Sequence, residues 1–432
     1  MLHMKTVEEL QGSLYLAAKN KKTKFNILKD KILRMDVLEE AWKRVRENRG
    51  TEGIDRESIE DIERKGVQQF LQQLQNDLRN ETYRTGKVRR VFIPKGDGKL
   101  RPLGIPNIRD RIVQQAVKLI IEPIFEVSFQ DFSYAYRPGR SAKDASAEIY
   151  KWLNFGFTRI IDADIHGFFD HIDHEILMEL VEERISDGYI LKLIKEWLRA
   201  GIVFQGNTIY PQEGTPQGGV ISPLLANIYL NSLDRQWVRM GMDSRYKAHL
   251  VRFADDVVIL IKGNTEKVLE IFSKLIKALN LELNMDKTRL TTAEDGFDFL
   301  GIHFIRRYEK WRNKDMTRMF PSAKSVRKFR DKVRDISSRK KAFKKDESTV
   351  IAEMNTLIRG WTGYFNHTNA SRIYRSLSKY IYWRLWKFFC FRHKVRHSAM
   401  DSRNGIRFKQ LIRGLLPLTG RISYLRKSNA AG

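Results

Sequence analysis

The sequence predicts an α+β fold in which strands and helices mix between two helical ends, and three observations carry that prediction. Between about residues 86 and 310, runs rich in β-branched and aromatic residues recur: VRRVFIPK (88–95), TRIIDADI (158–165), VRFADDVVILI (251–261) and FDFLGIHFI (297–305). Amphipathic helical stretches such as HEILMELVEERI (174–185) and TEKVLEIFSKLIKALNLEL (265–283) lie between them. Neither a regular strand–helix–strand repeat nor a glycine fingerprint accompanies the strands, which argues against a doubly wound parallel sheet. With 432 residues and 42% hydrophobic content, the chain can bury two or three cores.

Taken in order, residues 1–85 read as mostly helical. VLEEAWKRVRENRG (37–50) stops on Gly50 after basic residues, and DIERKGVQQFLQQLQNDLRN (61–80) repeats apolar positions at spacings of three and four. The turn-rich GTEGIDRES (50–58) joins them. From about residue 320 the pattern becomes helical and basic, without internal repeats or low-complexity tracts. Cys390 is the single cysteine, which excludes an internal disulfide framework and a zinc site built on paired cysteines. No apolar run reaches about 18 residues, and MLHMKTVEELQGSLYLAAKN lacks the unbroken apolar stretch of a secretion signal. The expectation is a soluble, intracellular protein, cytoplasmic or organellar, with no membrane partner and not secreted.

The net charge of +27 is unevenly placed. Residues 1–300 carry 46 Lys and Arg against 44 Asp and Glu, whereas residues 301–432 carry 33 against 8. That last third interleaves aromatics with cations, as in YIYWRLWKFFCFRHKVRH (380–397), a composition suited to neutralising phosphates while stacking on bases. A basic face kept for solubility and an amphipathic helix on an anionic membrane are the competing readings, and nucleic acid is favoured over both.

Asp255 and Asp256 stand side by side between two apolar runs, Val251–Ala254 and Val257–Ile261, where a strand pair should turn. Aspartate is common in turns, but two adjacent like charges make more sense around a hard cation such as Mg²⁺. A third carboxylate is available on TRIIDADI, where strand alternation puts Asp162 and Asp164 on one face; either could join the pair if the strands are neighbours. Two metals about 3.5–4 Å apart can activate a 3′-hydroxyl and stabilise a leaving pyrophosphate, so the chemistry would be nucleotidyl transfer. Asp170 and Asp173 are assigned instead to the start and N-cap of a helix.

At this point the sequence resembles reverse transcriptases of the group II intron-encoded, or maturase, lineage. The blocks that carry the resemblance come in order: VRRVFIPKGDGKLRPLGIPNIRDRIVQQAVKLIIEPIFE (88–126), FSYAYRPGRSAKDA (132–145), IDADIHGFFDHIDHEIL (161–177), EGTPQGGVISPLLANIYLNSLD (213–234), RFADD (252–256), LNMDKT (283–288), FDFLGIHF (297–304) and LIRGWTGYF (357–365). The last is similar to the lineage's RNA-binding maturase region. The resemblance implies a right-hand polymerase with fingers, a ferredoxin-like palm and a helical thumb. It divides the chain into an N-terminal extension with helical fingers (1–85), fingers and palm (86–315), a thumb or maturase region (316–395) and a short basic tail (396–432), which reads either as a shortened DNA-binding remnant or as merely solvated.

Carried over residue by residue, the resemblance makes Asp164, Asp255 and Asp256 ligands of two Mg²⁺ ions, for which Mn²⁺ could substitute, with the Ile165 carbonyl assisting. It assigns Lys95 and Arg101 to the incoming triphosphate and Gln217 to the nucleotide. Phe169, with Phe168 as the alternative, would lie under the sugar and exclude a 2′-hydroxyl, and Lys287 would lie near the primer terminus. Nucleic-acid contacts are expected from Arg137, Phe253, Arg359, Trp361, Tyr364, Arg384 and Lys387. The implied partners are an RNA template, primer DNA, deoxynucleoside triphosphates, intron RNA and target DNA; a homodimer is left open.

Two departures qualify the resemblance. Many relatives carry Tyr where this chain has Phe253, so a phenolic hydrogen bond is lost while the ring remains. The cysteine-bearing His-Asn-His endonuclease of longer relatives cannot be built with one cysteine, so second-strand cleavage is not expected. The implied function is RNA-directed DNA synthesis combined with intron RNA binding for splicing and retrohoming. The alternatives are a non-catalytic splicing cofactor and an intron-derived enzyme serving phage defence or repair.

Overall fold

The computed structural model describes residues 5–20, 24–94, 100–342, 344–395 and 403–418. Among these residues the strands are β1 (Val88–Pro94), β2 (Leu100–Ile105), β3 (Arg159–Asp164), β4 (Ile202–Phe204), β5 (Asn207–Ile209), β6 (Ala248–Phe253), β7 (Asp256–Ile261), β8 (Arg289–Thr292), β9 (Phe297–Phe299), β10 (Ile302–Glu309) and β11 (Lys314–Pro321). They form three sheets, ordered β2-β1-β4-β5, β6-β7-β3-β8 and β11-β10-β9. Helices precede, separate and follow them, so the fold is α+β, and each of the four strand-like runs contains a strand. None of the described helices is long and apolar enough to cross a membrane.

Two compact units interleave in sequence: Met1–Arg140, Ala163–Val257 and Gly263–Thr288 make one, and Ser141–Asp162, Val258–Lys262 and Arg289–Gly432 make the other. Consecutive segments are what the sequence suggested; instead β3 and β7 each contribute residues to both units.

The first unit is organised on the helix Ile108–Glu126, most of whose residues are buried, polar ones included. A helix enclosed on nearly every side must satisfy its polar groups internally. Asp110 accepts from the Tyr83 hydroxyl at 2.5 Å and the Gly86 N–H at 3.1 Å, Arg111 donates to the Pro106 and Thr51 carbonyls, and Gln114 accepts the Val220 N–H at 2.9 Å. The helices Val7–Asn20 and Met35–Glu47 pack against it. Residues 61–80, which read as one helical stretch, are divided at Gly66 (φ 105) into Ile59–Lys65 and Val67–Arg79; only glycine adopts that backbone readily. Ser58 starts the first piece with a capping box shared with Asp61.

The second unit joins β9, β10 and β11 with the helices Ala323–Ile336, Glu347–Phe365 and Ser371–His393. β10 and β11 pair from Ile302↔Pro321 to Glu309↔Lys314, so the strands run to residue 321 and the expected palm–thumb boundary at 315 falls inside β11. That end of the hairpin is charged and exposed, which hid its strand character. The helical core is strongly aromatic, with Tyr374, Trp386, Phe388 and Phe389 buried. Phe408, from the helix Arg403–Leu411, is also fully buried there, edge-on to Trp386 at 5.0 Å. The described part of the expected tail is therefore packed onto the helix Ser371–His393 rather than merely solvated.

Candidate active site

β6 and β7 form the hairpin expected of VRFADDVVILI. Val257–Ile261 are buried, Asp255 is half-buried and Asp256 is exposed. The turn is reached through Ala254, whose φ of 58° is unusual for a residue with a side chain. Burial pushes the Asp255 carboxyl above its ordinary value and the charge of Asp164 pushes the same way, with Arg101 and Arg252 opposing.

Asp164 ends β3, and its surroundings fix it closely. Its carbonyl accepts the Asn284 N–H at 2.8 Å, its own N–H donates to Thr288 Oγ1 at 3.4 Å, and its Oδ2 accepts from Lys287 Nζ at 3.1 Å. Beyond it, Ile165 forms an isolated bridge with Leu283 in which the hydrogen bonds are made by neighbouring residues, His166 N–H to Glu282 and Asn284 N–H to Asp164. The Ile165 carbonyl therefore points away from the 282–284 segment. Of the two aspartates on β3, Asp164 is the one whose charge reaches Asp255, while Asp162 lies opposite Arg289 of β8.

Among the described residues, no three His, Cys, Asp or Glu side chains converge into a closed ligand set. What converges is the mutually repelling pair Asp164 and Asp255, with the Ile165 carbonyl one residue on and Asp256 next in the chain. An oxygen-only donor set with unfavourable like charges fits a hard divalent cation, whose binding would relieve the strain on Asp255.

A second group of predicted residues gathers where the Thr-Pro-Gln-Gly-Gly turn meets β2. Arg101 Nε donates to Gln217 Oε1 at 2.7 Å, and the Gly104 N–H donates to the Gln217 carbonyl at 2.7 Å. Gly218 has φ 119°, and a Cβ there would stand 2.4 Å from the Gly104 carbonyl oxygen, so the close approach requires glycine. Phe169 and Gln217 line one cavity of about 310 Å³ together with Gly214, Thr215 and Pro216. Phe168 points into the core beside Tyr229. Lys95 lies outside the described residues.

The expected nucleic-acid contacts divide. Arg137 is buried, paired with Glu126 at 2.7 Å and donating to the Gln130 and Ser133 carbonyls, which removes it as an RNA contact. Arg384 donates to Ser337 Oγ and to the Arg334 and Ser337 carbonyls, capping the end of the helix Ala323–Ile336. Trp361 packs between Phe329 and Phe365, with ring centroids 4.8 and 4.7 Å away, and serves the core. Arg359 and Lys387 are exposed, Phe253 is half-buried, and Tyr364 keeps an exposed ring while its hydroxyl donates to the Leu300 carbonyl at 2.8 Å.

Residues 93–304 match the family described as reverse transcriptase (RNA-dependent DNA polymerase), and residues 326–404 match the group II intron, maturase-specific domain. Protein YkfC of Escherichia coli is 37% identical over 290 residues, covering 59% of this chain and 76% of YkfC. The chain belongs to the group II intron reverse transcriptases. The intron-encoded protein LtrA of Lactococcus lactis is 29% identical over 402 residues, covering 76% of this reverse transcriptase and 66% of LtrA. Among solved structures, a partial Cas6-RT-Cas1–Cas2 complex aligns over 59% of the chain at 24% identity and a TM-score of 0.37. As a member of the family, the chain is an RNA-directed DNA polymerase with a right-hand fold, and reverse transcriptases of this kind use divalent metal ions.

One residue of this reverse transcriptase's site was missed by the sequence reading. Tyr136 has φ 58° and is half exposed, and its phenol is pushed up by burial and by the charges of Asp255 and Asp256. Its signal was present, an aromatic directly before Arg-Pro-Gly, but nothing local ties residue 136 to residue 255.

Proposed function

We propose that Asp164, Asp255 and Asp256, with the Ile165 carbonyl, hold two Mg²⁺ ions for copying a primed RNA into DNA, and that the chain also binds its parent intron RNA in support of splicing and retrohoming. Bound there, the ions would lower the pKa of the primer 3′-hydroxyl and neutralise charge on the leaving pyrophosphate. Asp164, at the end of β3, and Asp255, in the turn that leads into the neighbouring β7, supply oxygens from adjacent parts of one sheet, and Lys287 orients the Asp164 carboxylate through its hydrogen bond. Arg101 offers a fixed cation to the triphosphate, aimed by Gln217. Phe169, lining the same cavity as Gln217, presents its ring to the sugar and leaves no partner for a 2′-hydroxyl. The excess of Lys and Arg beyond residue 300 supports the intron RNA assignment.

The observation that carries this reading is Asp255, a carboxylate whose charge is disfavoured by burial and by the nearby charge of Asp164, beside the Arg101–Gln217 contact. Primer extension on an RNA template with deoxynucleotides and Mg²⁺ tests it, with Asp255→Ala run beside the wild type. Extension should fall on the order of 100-fold or more in the variant, while RNA affinity stays within about twofold, because metal chemistry and phosphate binding are separate terms. Absence of extension by the wild type, with RNA binding intact, would favour a splicing cofactor instead.

A further inference from the structure

Arg252 and Asp234 form an ion pair with both side chains fully buried, three residues before Asp255. Such a pair calls for an explanation beyond stability, because well-packed apolar residues of similar volume usually serve a fold at least as well. The guanidinium contacts Asp234, on the helix Ser222–Arg239, with Nε 3.0 Å from Oδ1 and Nη2 2.5 Å from Oδ2. Nη1 remains, and it donates to Asn227 Oδ1 at 3.2 Å and to the Ala254 carbonyl at 3.1 Å.

Ala254 is the left-handed residue that turns the hairpin, and Asp255 follows it directly. A side-chain-bearing residue keeps such a backbone only where its surroundings impose it. The Arg252 backbone is engaged as well: its N–H donates to the Phe132 carbonyl at 2.8 Å, and its carbonyl accepts the Tyr134 N–H at 3.0 Å. Asn227 Nδ2 donates to the Ala135 carbonyl at 2.8 Å, one residue before Tyr136, the second left-handed residue of the site. One buried cluster thus grips the metal-binding hairpin, the helix that follows the Gln-Gly-Gly turn and the segment that presents Tyr136.

We propose that Arg252, Asp234 and Asn227 are positioning residues for polymerisation: they hold Ala254 in its turn and so aim the Asp255 carboxylate and the Tyr136 ring, while touching neither metal nor substrate. This rests on Asp255 being a metal ligand. A purely structural role for the pair makes a different prediction. An apolar replacement that restores packing would then restore everything, whereas positioning is lost because no group remains to bond the Ala254 carbonyl.

The test compares wild type, the double variant Asp234→Leu/Arg252→Met, the conservative Arg252→Lys and Asp255→Ala. Four quantities are read on the full chain: melting temperature without divalent ions, affinity for a primed RNA template, Mn²⁺ affinity of that complex by electron paramagnetic resonance, and single-turnover rate against deoxynucleotide concentration. The double variant should melt near the wild type and bind RNA within about twofold, yet lose about tenfold in Mn²⁺ affinity and at least tenfold in maximal rate. Arg252→Lys should fall between, since an ammonium keeps the charge opposite Asp234 but cannot reach all the acceptors. A folded double variant with wild-type Mn²⁺ affinity and rate overturns the proposal. Should the double variant not fold, the same result with Arg252→Lys overturns it. Unchanged Mn²⁺ affinity in Asp255→Ala refutes the metal assignment itself, which separates that failure from failure of the positioning role.

Discussion

Asp255 is placed where its negative charge is disfavoured, half-buried and facing Asp164, and that arrangement opposes stability while serving chemistry. A carboxyl whose folded pKa is raised favours the folded state when protonated; that contribution is complete below the unfolded value near 3.8 and is lost as pH rises through the raised value. At neutral pH without divalent ions, Asp255→Asn should therefore melt higher than the wild type while losing DNA synthesis. The difference between the two melting curves should shrink as pH falls toward 4, and a constant difference by calorimetry would refute this account. The aspartates were legible in the sequence because their signal is local: two adjacent charges at a hairpin tip and an alternating pair on a strand. Arg137 and Arg384 were misread, because what an arginine does depends on a partner the sequence does not mark. Glu126 claims Arg137 and Ser337 claims Arg384, and in a chain read for RNA binding both looked available.

At the scale of elements, the Gln-Gly-Gly turn docks on β2 through a contact that tolerates no side chain. Gly218→Ala would combine an unfavourable φ with a Cβ pressed against the Gly104 carbonyl, so the turn must lift from β2 and carry Gln217 away from Arg101. A loss of about 1–3 kcal/mol in stability is expected. The KM for deoxynucleotides should rise while RNA affinity holds, and steady-state primer extension with a denaturation curve checks both. Strands and helices with strong periodicity were readable in advance. β11 was not, because its exposed, charged end resembles a linker, and neither was the break at Gly66, where a single backbone conformation overrides the apolar repeat on either side.

Across the whole molecule, the charge asymmetry separates a nearly neutral polymerase segment from a strongly basic C-terminal third. RNA affinity should accordingly fall steeply with salt. Replacing Lys324, Arg327 and Lys328, on the helix Ala323–Ile336, with glutamine should flatten the dependence of log K on log salt by about 0.7 for each phosphate contact removed from single-stranded RNA. Filter binding across a salt series measures this, and an unchanged slope would move the RNA site elsewhere.

The interleaving of the two units has a consequence for how the chain is made and how it can be cut. Five crossings join them, at Arg140, Asp162, Val257, Lys262 and Thr288. During synthesis the first unit cannot close until residue 288 has left the ribosome, by which time part of the second is already waiting for a partner not yet translated. No single nick divides the two units into intact halves, and a gene fusion that borrowed either unit alone would inherit a severed sheet.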